Sequence, residues 1–527
     1  MPEINLHPVD IAIVLFYFAA MIALGLFLSR RIHNADDYFL AGRHMIWPLI
    51  GFSLFASNIS STTLVGLSGE AYATGISIYN YEWMAAIVLV IFAVFFLPVL
   101  LRRRTYTMPE FLARRFDERI RTYFSSLTLF LSVVVETAGS LFAGALVIQM
   151  VFPDVPLWQT MTALAVIAGI YTLAGGLAAV MITDVVQALL LLLGSLVIAW
   201  TAFDQVGGLG AVFEQLDPDR LSLIRPLNDP TMPWLGLITG VPLLGFYYWA
   251  TNQAIVQRVL AAKDVHHGRM GALFAGALKL APLFIMVLPG SAAILLYPEL
   301  ENSDQVYPML MFDLLPVGLL GLVLAGFVAA IMSQIDSALN SASTLVTMDF
   351  VRRRWPDLDG HQLMIIGRVV MALFLVFAVL WAPFITQFRS IFSYLQTMFS
   401  YAVPPVVALF LVGVFWPRAN SAGAFASIVV GVVAGVAGFV AIELLDWFEL
   451  HFLYVAPILF LLCATTLITV SLRTPPPNAE AISDYLWRAS DFHAETAELR
   501  GLAWYRNYRI LAGLLLLATA ALVIAFW

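Results

Sequence analysis

The chain has 527 residues, 61% hydrophobic and only 12% charged, with a formal charge of −7. Soluble globular domains are about half apolar and about a quarter charged, so this composition excludes them and belongs to a polytopic membrane protein. The single cysteine, Cys463, excludes intrachain disulfides and cysteine-based metal clusters, and the absence of a Walker A loop leaves ATP-driven pumping without support.

A helix needs about 20 mostly apolar residues to cross the hydrocarbon core. The sequence predicts 14 such spans, at 8–28, 46–72, 79–101, 120–152, 157–177, 178–205, 234–261, 269–297, 309–347, 361–385, 388–414, 420–444, 452–472 and 508–526. The first follows an acidic start (Glu3, Asp10) and ends on Ser29-Arg30-Arg31, so it reads as a retained span and not a cleaved signal. Only Gly175-Gly176 separates the fifth from the sixth. The 309–347 stretch is too long for one straight crossing and must tilt, kink or extend past the membrane. Lys and Arg are retained in cytoplasmic loops. Loops 29–45, 102–121, 258–269, 348–360, 415–420 and 473–509 hold 22 of them, against Arg220, Arg225 and Arg389 on the opposite side. That asymmetry puts both termini outside. Segment 473–509 opens with Pro475-Pro476-Pro477 and reads as a linker followed by a surface helix.

Two spans are interrupted. In 51–72 the apolar pattern is broken by Ser57, Asn58, Ser60, Ser61, Thr62 and Thr63. A polar break within a bilayer is tolerated only where protein or a watery cavity surrounds it, and secondary transporters hold their ligands at such breaks. In 234–260, Gly240, Pro242 and Gly245 punctuate the span, and Tyr247, Tyr248 and Trp249 follow. Counted from the second span, the interrupted helices are first and sixth, the spacing of two inverted five-helix repeats. The bland alternative is that Gly and Pro are common in membrane helices. The expected organisation is an extra span and inner loop (1–45), a first repeat (46–205), an outer loop (206–233), a second repeat (234–414), two accessory spans (415–472), a cytoplasmic segment (473–507) and a last span (508–527).

Polar residues at mid-membrane are costly and usually functional. Glu82, Glu136, Asp184, Lys279, Asp336 and Gln396 have such addresses. Each alone has a structural alternative, from interfacial capping for Glu82 to snorkelling for Lys279. On the ninth span Ser333, Asp336, Ser337, Asn340 and Ser341 recur at 3–4 spacing, one face of a helix. Their oxygens suit a hard cation such as sodium, and the alternative is a small-residue stripe for close helix packing.

The segments YFLAGR (38–43), SLFASNIS (53–60), YEWMAA (81–86), TMPEFLARRF (107–116), YTLAGGLAAV (171–180) with TDVVQ (183–187), YYW (247–249), QAIVQRVLAAK (253–263), ALNSASTLVTMD (338–349) and GVFWPRANSAGAF (413–425) resemble the sodium:solute symporter family, of the sodium/glucose cotransporter type that includes bacterial sodium/galactose symporters. The resemblance implies an all-α protein with a five-plus-five inverted-repeat, LeuT-like core and alternating access driven by inward sodium flow. It implies a sodium site at the carbonyls of Ala56, Ile59 and Ala330 and the hydroxyl of Ser333, with Gln334 where relatives carry a hydroxyl. A second sodium maps to Asp184, Ser333, Asp336 and Ser337, Asp336 again replacing a hydroxyl. Solute positions map to Asn58, Glu82, Tyr248, Lys279 and Gln396, which carry the family's residues, with Trp249 beside the solute. Thr62, Thr63 and Gly245 replace longer or more polar side chains. Leu67, Tyr81 and Phe392 map to the outer lid and Tyr248 to the inner one.

The function so implied is sodium-coupled symport of a small neutral polyhydroxylated solute, a glucose- or galactose-like sugar or myo-inositol. The alternative is sialic acid, an amino acid or another carboxylate, against which Glu82 argues, and a remote one is a non-transporting sodium channel or sensor. An enzyme finds no support, because no His-Glu-x-x-His or Gly-x-Ser-x-Gly pattern lies in a span. The expected partners are sodium, the solute and the lipid bilayer, with no nucleic acid, and the expected location is a bacterial inner membrane.

Overall fold

The computed structural model describes residues 6–29, 39–102, 105–300, 302–388 and 390–527. Apart from two isolated bridges, the regular elements among the described residues are helices. The main ones are α1 (Pro8–Ser29), α2 (Trp47–Asn58), α3 (Ser61–Thr74), α4 (Ile76–Arg102), α5 (Glu118–Val151), α6 (Leu157–Val206), α7 (Trp234–Phe246), α8 (Gln253–Leu260), α9 (Val265–Leu296), α10 (Leu319–Arg354), α11 (Gly360–Gln387), α12 (Ile391–Ala402), α13 (Pro404–Phe415), α14 (Ser421–Leu444), α15 (Phe452–Arg473) and α16 (Tyr508–Ala525). Nine described helices are long and apolar enough to cross a membrane alone, and up to eleven spans result when the bent pairs α2–α3 and α12–α13 are joined. The apolar helices Pro8–Met21 and Leu157–Ile170 and the pair α7–α8 supply the rest, so each expected span has a helical counterpart. Burial grades them. The apolar windows of α5 and α10 are 89% and 83% buried, those of α14 and α16 only 22%, so the first pair is the centre and the second the lipid-facing rim.

The breaks differ in part from expectation. α2 and α3 meet at 59° across Ile59 and Ser60, within the expected polar cluster. The second broken helix parts at Asn252, in extended conformation, and not at Gly240, Pro242 or Gly245, all of which lie inside α7. Gly240 serves packing instead. A Cβ there would lie 2.3 Å from the carbonyl oxygen of Leu453, so only glycine lets α7 and α15 approach this closely. Asn252 makes the break durable by accepting the N–H of Ala254 (2.8 Å) and so capping α8.

The long 309–347 stretch resolves into Val306–Leu314 and α10, parted by Pro316 and by Gly318 at φ +89°. The freed N–H groups of Gly318 and Gly321 both donate to Asp10 Oδ1 at 2.7 Å, so α1 caps α10. A 52° bend at Val403 parts α12 from α13, where Pro404 and Pro405 remove two helical donors; nothing in the expected span 388–414 marked it. The expected fifth and sixth spans form one run of helical backbone, α6. Straight, it would measure about 75 Å, more than twice the ~30 Å hydrocarbon core. Side chains of its residues 171–176, around the expected split at Gly175-Gly176, lie outside those described.

The basic loops are tied together by buried ion pairs and carbonyl caps. Asp349 accepts from Arg121 (2.6 Å), Ser125 (2.6 Å) and Thr107 (2.9 Å). Arg115 donates to the carbonyls of Gly413, Ala419 and Trp416 at 2.7–3.1 Å, closing the C-terminus of α13. In the 473–507 segment a helix, Ala489–Leu499, docks through Glu495, which accepts from Arg269, from Tyr508 (2.8 Å) and from Arg509 (3.1 Å). Burial alone would raise the Glu495 carboxyl, but these bonds hold it below its ordinary range. A depressed carboxyl adds stability above its unfolded-state pKa of about 4, lost as pH falls through its folded value. Amide protection over 489–499, taken relative to the unstructured-chain exchange rate at each pH, is therefore expected to be high at neutral pH and to fall as pH drops below about 4, and Glu495→Gln is expected to show reduced protection already at neutral pH.

Candidate functional site

The site grows from the α2–α3 break. Ser60, in extended conformation, caps α3 by accepting the N–H of Thr63 (3.3 Å), and its hydroxyl lies 2.5 Å from that of Thr62. Thr63 Oγ1 donates to the Asn58 carbonyl at 2.7 Å, and the Ser60 N–H, which a continuing helix would give to Ala56, goes to Asn58 as well (2.9 Å). The Ala56 carbonyl is thereby left without its helical donor at the negative end of α2.

Opposite the break, α9 loosens into a turn at Lys279. The Lys279 ammonium is fully buried and does not snorkel. It donates to Glu82 Oε2 (2.5 Å) and to Asn58 Oδ1, and lies 5.3 Å from the ring centroid of Trp249. One cation thus joins α2, α4 and the turn after α7.

Beside this network lies a cavity of about 110 Å³. Of the eight side chains expected to hold solute, Asn58, Thr62, Thr63, Glu82, Tyr248, Trp249 and Gln396 line it, and Lys279 stands behind Asn58 and Glu82. The expected lid residues Leu67, Tyr81 and Phe392 line it too. The Tyr81 and Phe392 rings meet edge-on at 5.0 Å and also line a second cavity of about 240 Å³, with Glu70, Thr74 and His451. The ring pair is thus the partition between the two spaces. Gly66 permits it, because a Cβ there would press on Phe392 Cβ at 3.3 Å.

The residues expected to hold an ion lie where α10 crosses the end of α2. Ser337 Oγ is 3.1 Å from Ser57 Oγ, and Ala56, Ile59, Ala330 and Ser333 are buried, while Gln334 reaches the cavity wall. Three of the four residues expected for a second ion also converge. Asp184 accepts from Ser333 (2.8 Å) and from Ser53 (2.5 Å), and Ser337 shares their partner, Arg258. Asp336 is buried on the same helix. Arg258, counted above among inner-loop charges, is in fact fully buried: its guanidinium contacts Asp184 (3.3 Å), Ser53 (2.8 Å) and Ser337. Sequence reasoning missed Arg258 and Ser53 as parts of this cluster. Their signal was present in two matching segments, SLFASNIS and QAIVQRVLAAK, whose meeting only the fold reveals.

A sequence model of the sodium:solute symporter family matches residues 38–431. Sodium/myo-inositol cotransporter 2 of Homo sapiens is 36% identical over 542 residues, covering 92% of this chain and 80% of its own length. Sodium/glucose cotransporter 4 of Danio rerio is 35% identical over 551 residues, covering 94% of this chain and 83% of its own. Among solved structures, a sodium-coupled sialic acid symporter in a substrate-bound, outward-open state is similar with a TM-score of 0.79, at 23% identity over 90% of this chain and all of the other. Mhp1, a nucleobase-cation-symport-1 family transporter, is similar at a TM-score of 0.58 and 16% identity, over 86% of this chain and all of its own. Both structural likenesses speak to the fold, a LeuT-like five-plus-five inverted repeat with discontinuous first and sixth core helices. With the family match spanning most of its length, the chain belongs to the sodium:solute symporter family and is a sodium-coupled membrane transporter, not an enzyme.

Proposed function

We propose that the transported solute is a small, neutral and polyhydroxylated molecule of the glucose, galactose or myo-inositol kind. The observation that carries this reading is the gathering of Asn58, Glu82, Gln396, Tyr248 and Trp249 around one cavity with Lys279 already neutralised by Glu82 at 2.5 Å. Carboxylate and amide groups supply the donors and acceptors that ring hydroxyls require, and the aromatic pair supplies a face for C–H surface. A cation bound to its own carboxylate offers little to an anionic solute. The myo-inositol and glucose cotransporters among the relatives agree with this class.

Sodium in this reading binds the carbonyls of Ala56, Ile59 and Ala330, the Ser333 hydroxyl and the Gln334 side-chain oxygen, all oxygen ligands as a hard cation demands. Ion and solute then act on opposite sides of one break: sodium steadies the carbonyl end of α2 against α10, and the solute engages Asn58 on the same turn. Each favours the same arrangement of the break, which is the reciprocal coupling a symporter needs. In the second cluster the Arg258 guanidinium takes the place of a cation beside Asp184, so a further sodium among Asp184, Ser333, Asp336 and Ser337 requires Arg258 to withdraw. Tyr81, Phe392 and Leu67 close the outer route and Tyr248 the inner one. The basic loops support a cytoplasmic face with both termini outside, in a cell membrane of the bacterial inner-membrane type.

Counterflow in proteoliposomes tests the solute class. Labelled glucose, galactose or myo-inositol is expected to accumulate with sodium outside and not with choline; accumulation of sialic acid or an amino acid alone overturns the reading. Ser333→Ala is expected to raise the sodium concentration for half-maximal uptake about tenfold, a loss of about 1.4 kcal/mol. Lys279→Ala strands a buried carboxylate and is expected to cost about 3–5 kcal/mol of stability; adding Glu82→Gln should restore the melting temperature but not solute binding. The partition is checked with Gln396→Cys. Its labelling by a water-soluble thiol reagent should be slow and should speed at least tenfold in a Phe392→Ala background, with buried Cys463 contributing little.

A further inference from the structure

Glu136 lies mid-membrane on α5, in a π-helical stretch, Leu131–Thr137, that widens the helix where it passes the cavity. It is only 4% exposed and lines the cavity wall with Tyr248 and Gln334. One carboxylate oxygen, Oε1, accepts from Asn252 Nδ2 at 2.7 Å. The other, Oε2, has no hydrogen-bond partner, and Ser132 Oγ, one turn away on the same helix, has none either. A buried carboxylate oxygen left unpaired is costly unless something binds it.

Among the described residues Glu136 forms no ion pair: Lys279 is taken by Glu82 and Arg258 by Asp184. Of the two carboxyls that line the cavity, Glu82 is ion-paired and Glu136 is not. Asn252 also fixes where Glu136 points, because the same side chain caps α8 through its own oxygen. The carboxylate is held against the second helix break, as Asn58 is held at the first.

We propose that Glu136 is a solute-binding and specificity-determining residue: Oε2 accepts a hydroxyl of the polyol, and its charge turns away solutes bearing a carboxylate. This deepens the polyol reading of the cavity and rests on it. A hydroxyl donating to a buried carboxylate is a charge-assisted bond. When Glu136 is ionised, a carboxylate in the same place meets an acceptor with no proton to give and a like charge in a medium of low polarity. The residue thus separates glucose from glucuronate, which differ by one oxidised carbon.

Glu136→Gln is the discriminating variant, since its amide oxygen still accepts from Asn252 while charge and the second acceptor are lost. Uptake of labelled glucose and myo-inositol is measured in proteoliposomes, with glucuronate as competitor. Wild-type protein is expected to ignore glucuronate. The variant is expected to need at least about tenfold more polyol for half-maximal uptake, at an unchanged sodium requirement, and to be inhibited by glucuronate. Unchanged polyol half-saturation with glucuronate still excluded would overturn the proposal and leave Glu136 as a structural partner of Asn252. A parallel rise in the sodium requirement would overturn it as well, by making the residue part of the ion site. Should the variant fail to fold, the wild type still decides: glucuronate accumulating as well as glucose refutes the exclusion. Wild-type uptake of neither polyol would instead sink the polyol reading itself, and this inference with it.

Discussion

A lysine ammonium sealed from water at the centre of a membrane protein must be satisfied by protein, and the middle of this molecule is arranged around that demand. Lys279 finds a carboxylate on α4, an amide on α2 and an aromatic face beyond α7. Each partner lies on a different helix, so the bonds fix the relative positions of both discontinuous helices. The cavity is the space left beside this knot. Its polar groups cost little further desolvation because the network has already brought them out of water in paired form.

The same logic recurs at other helix ends. A broken helix exposes donors and acceptors that lipid cannot satisfy. Ser60 and Asn252 cap the two breaks that face the cavity, Asp10 caps α10 and Arg115 closes α13. Arg115 and its carbonyls belong to segments of the chain about 300 residues apart, each matching the family pattern separately; their hydrogen bonds give both matches one physical cause. Each of the breaks that face the cavity stands beside an acceptor short of a donor. The Ala56 carbonyl at one and Glu136 Oε2 at the other are where a ligand has something to gain.

Much of this was legible in the sequence because polarity inside a bilayer is rare enough to be informative. Asn58, Glu82, Lys279 and Gln396 stood out against apolar surroundings, and the structure gathers them. What could not be read was which irregular residues break a helix and which only let helices touch. Gly240 and Pro242 looked like a break and lie within α7, whereas Asn252, which the sequence analysis passed over, is the break. Propensity carries no record of the neighbour, here Leu453, that makes a glycine necessary. Arg258 was misjudged for a related reason: a basic residue near a span end counts as a loop charge until a buried Asp184 is known to face it. Glu136 was noticed as a mid-span charge but had no place until Asn252 and the cavity lay beside it.

The capping of α10 by Asp10 bears on α1, which lies outside the ten-helix core. Besides that bond, Tyr17 and Met21 of α1 pack against Ala325, Val328, Ala329 and Met332 along α10. The first helix is therefore strapped to the one that carries Ser333, from its tip to its middle. The same face of α1 meets α6, whose Gln187 donates to the Tyr17 hydroxyl at 3.3 Å, so a displacement of α10 against α6 is felt at α1. The periphery of the protein thus holds a built-in pointer: a fluorophore or spin label at the start of the chain would register the swing of a helix that no probe in the crowded interior could report without disturbing it.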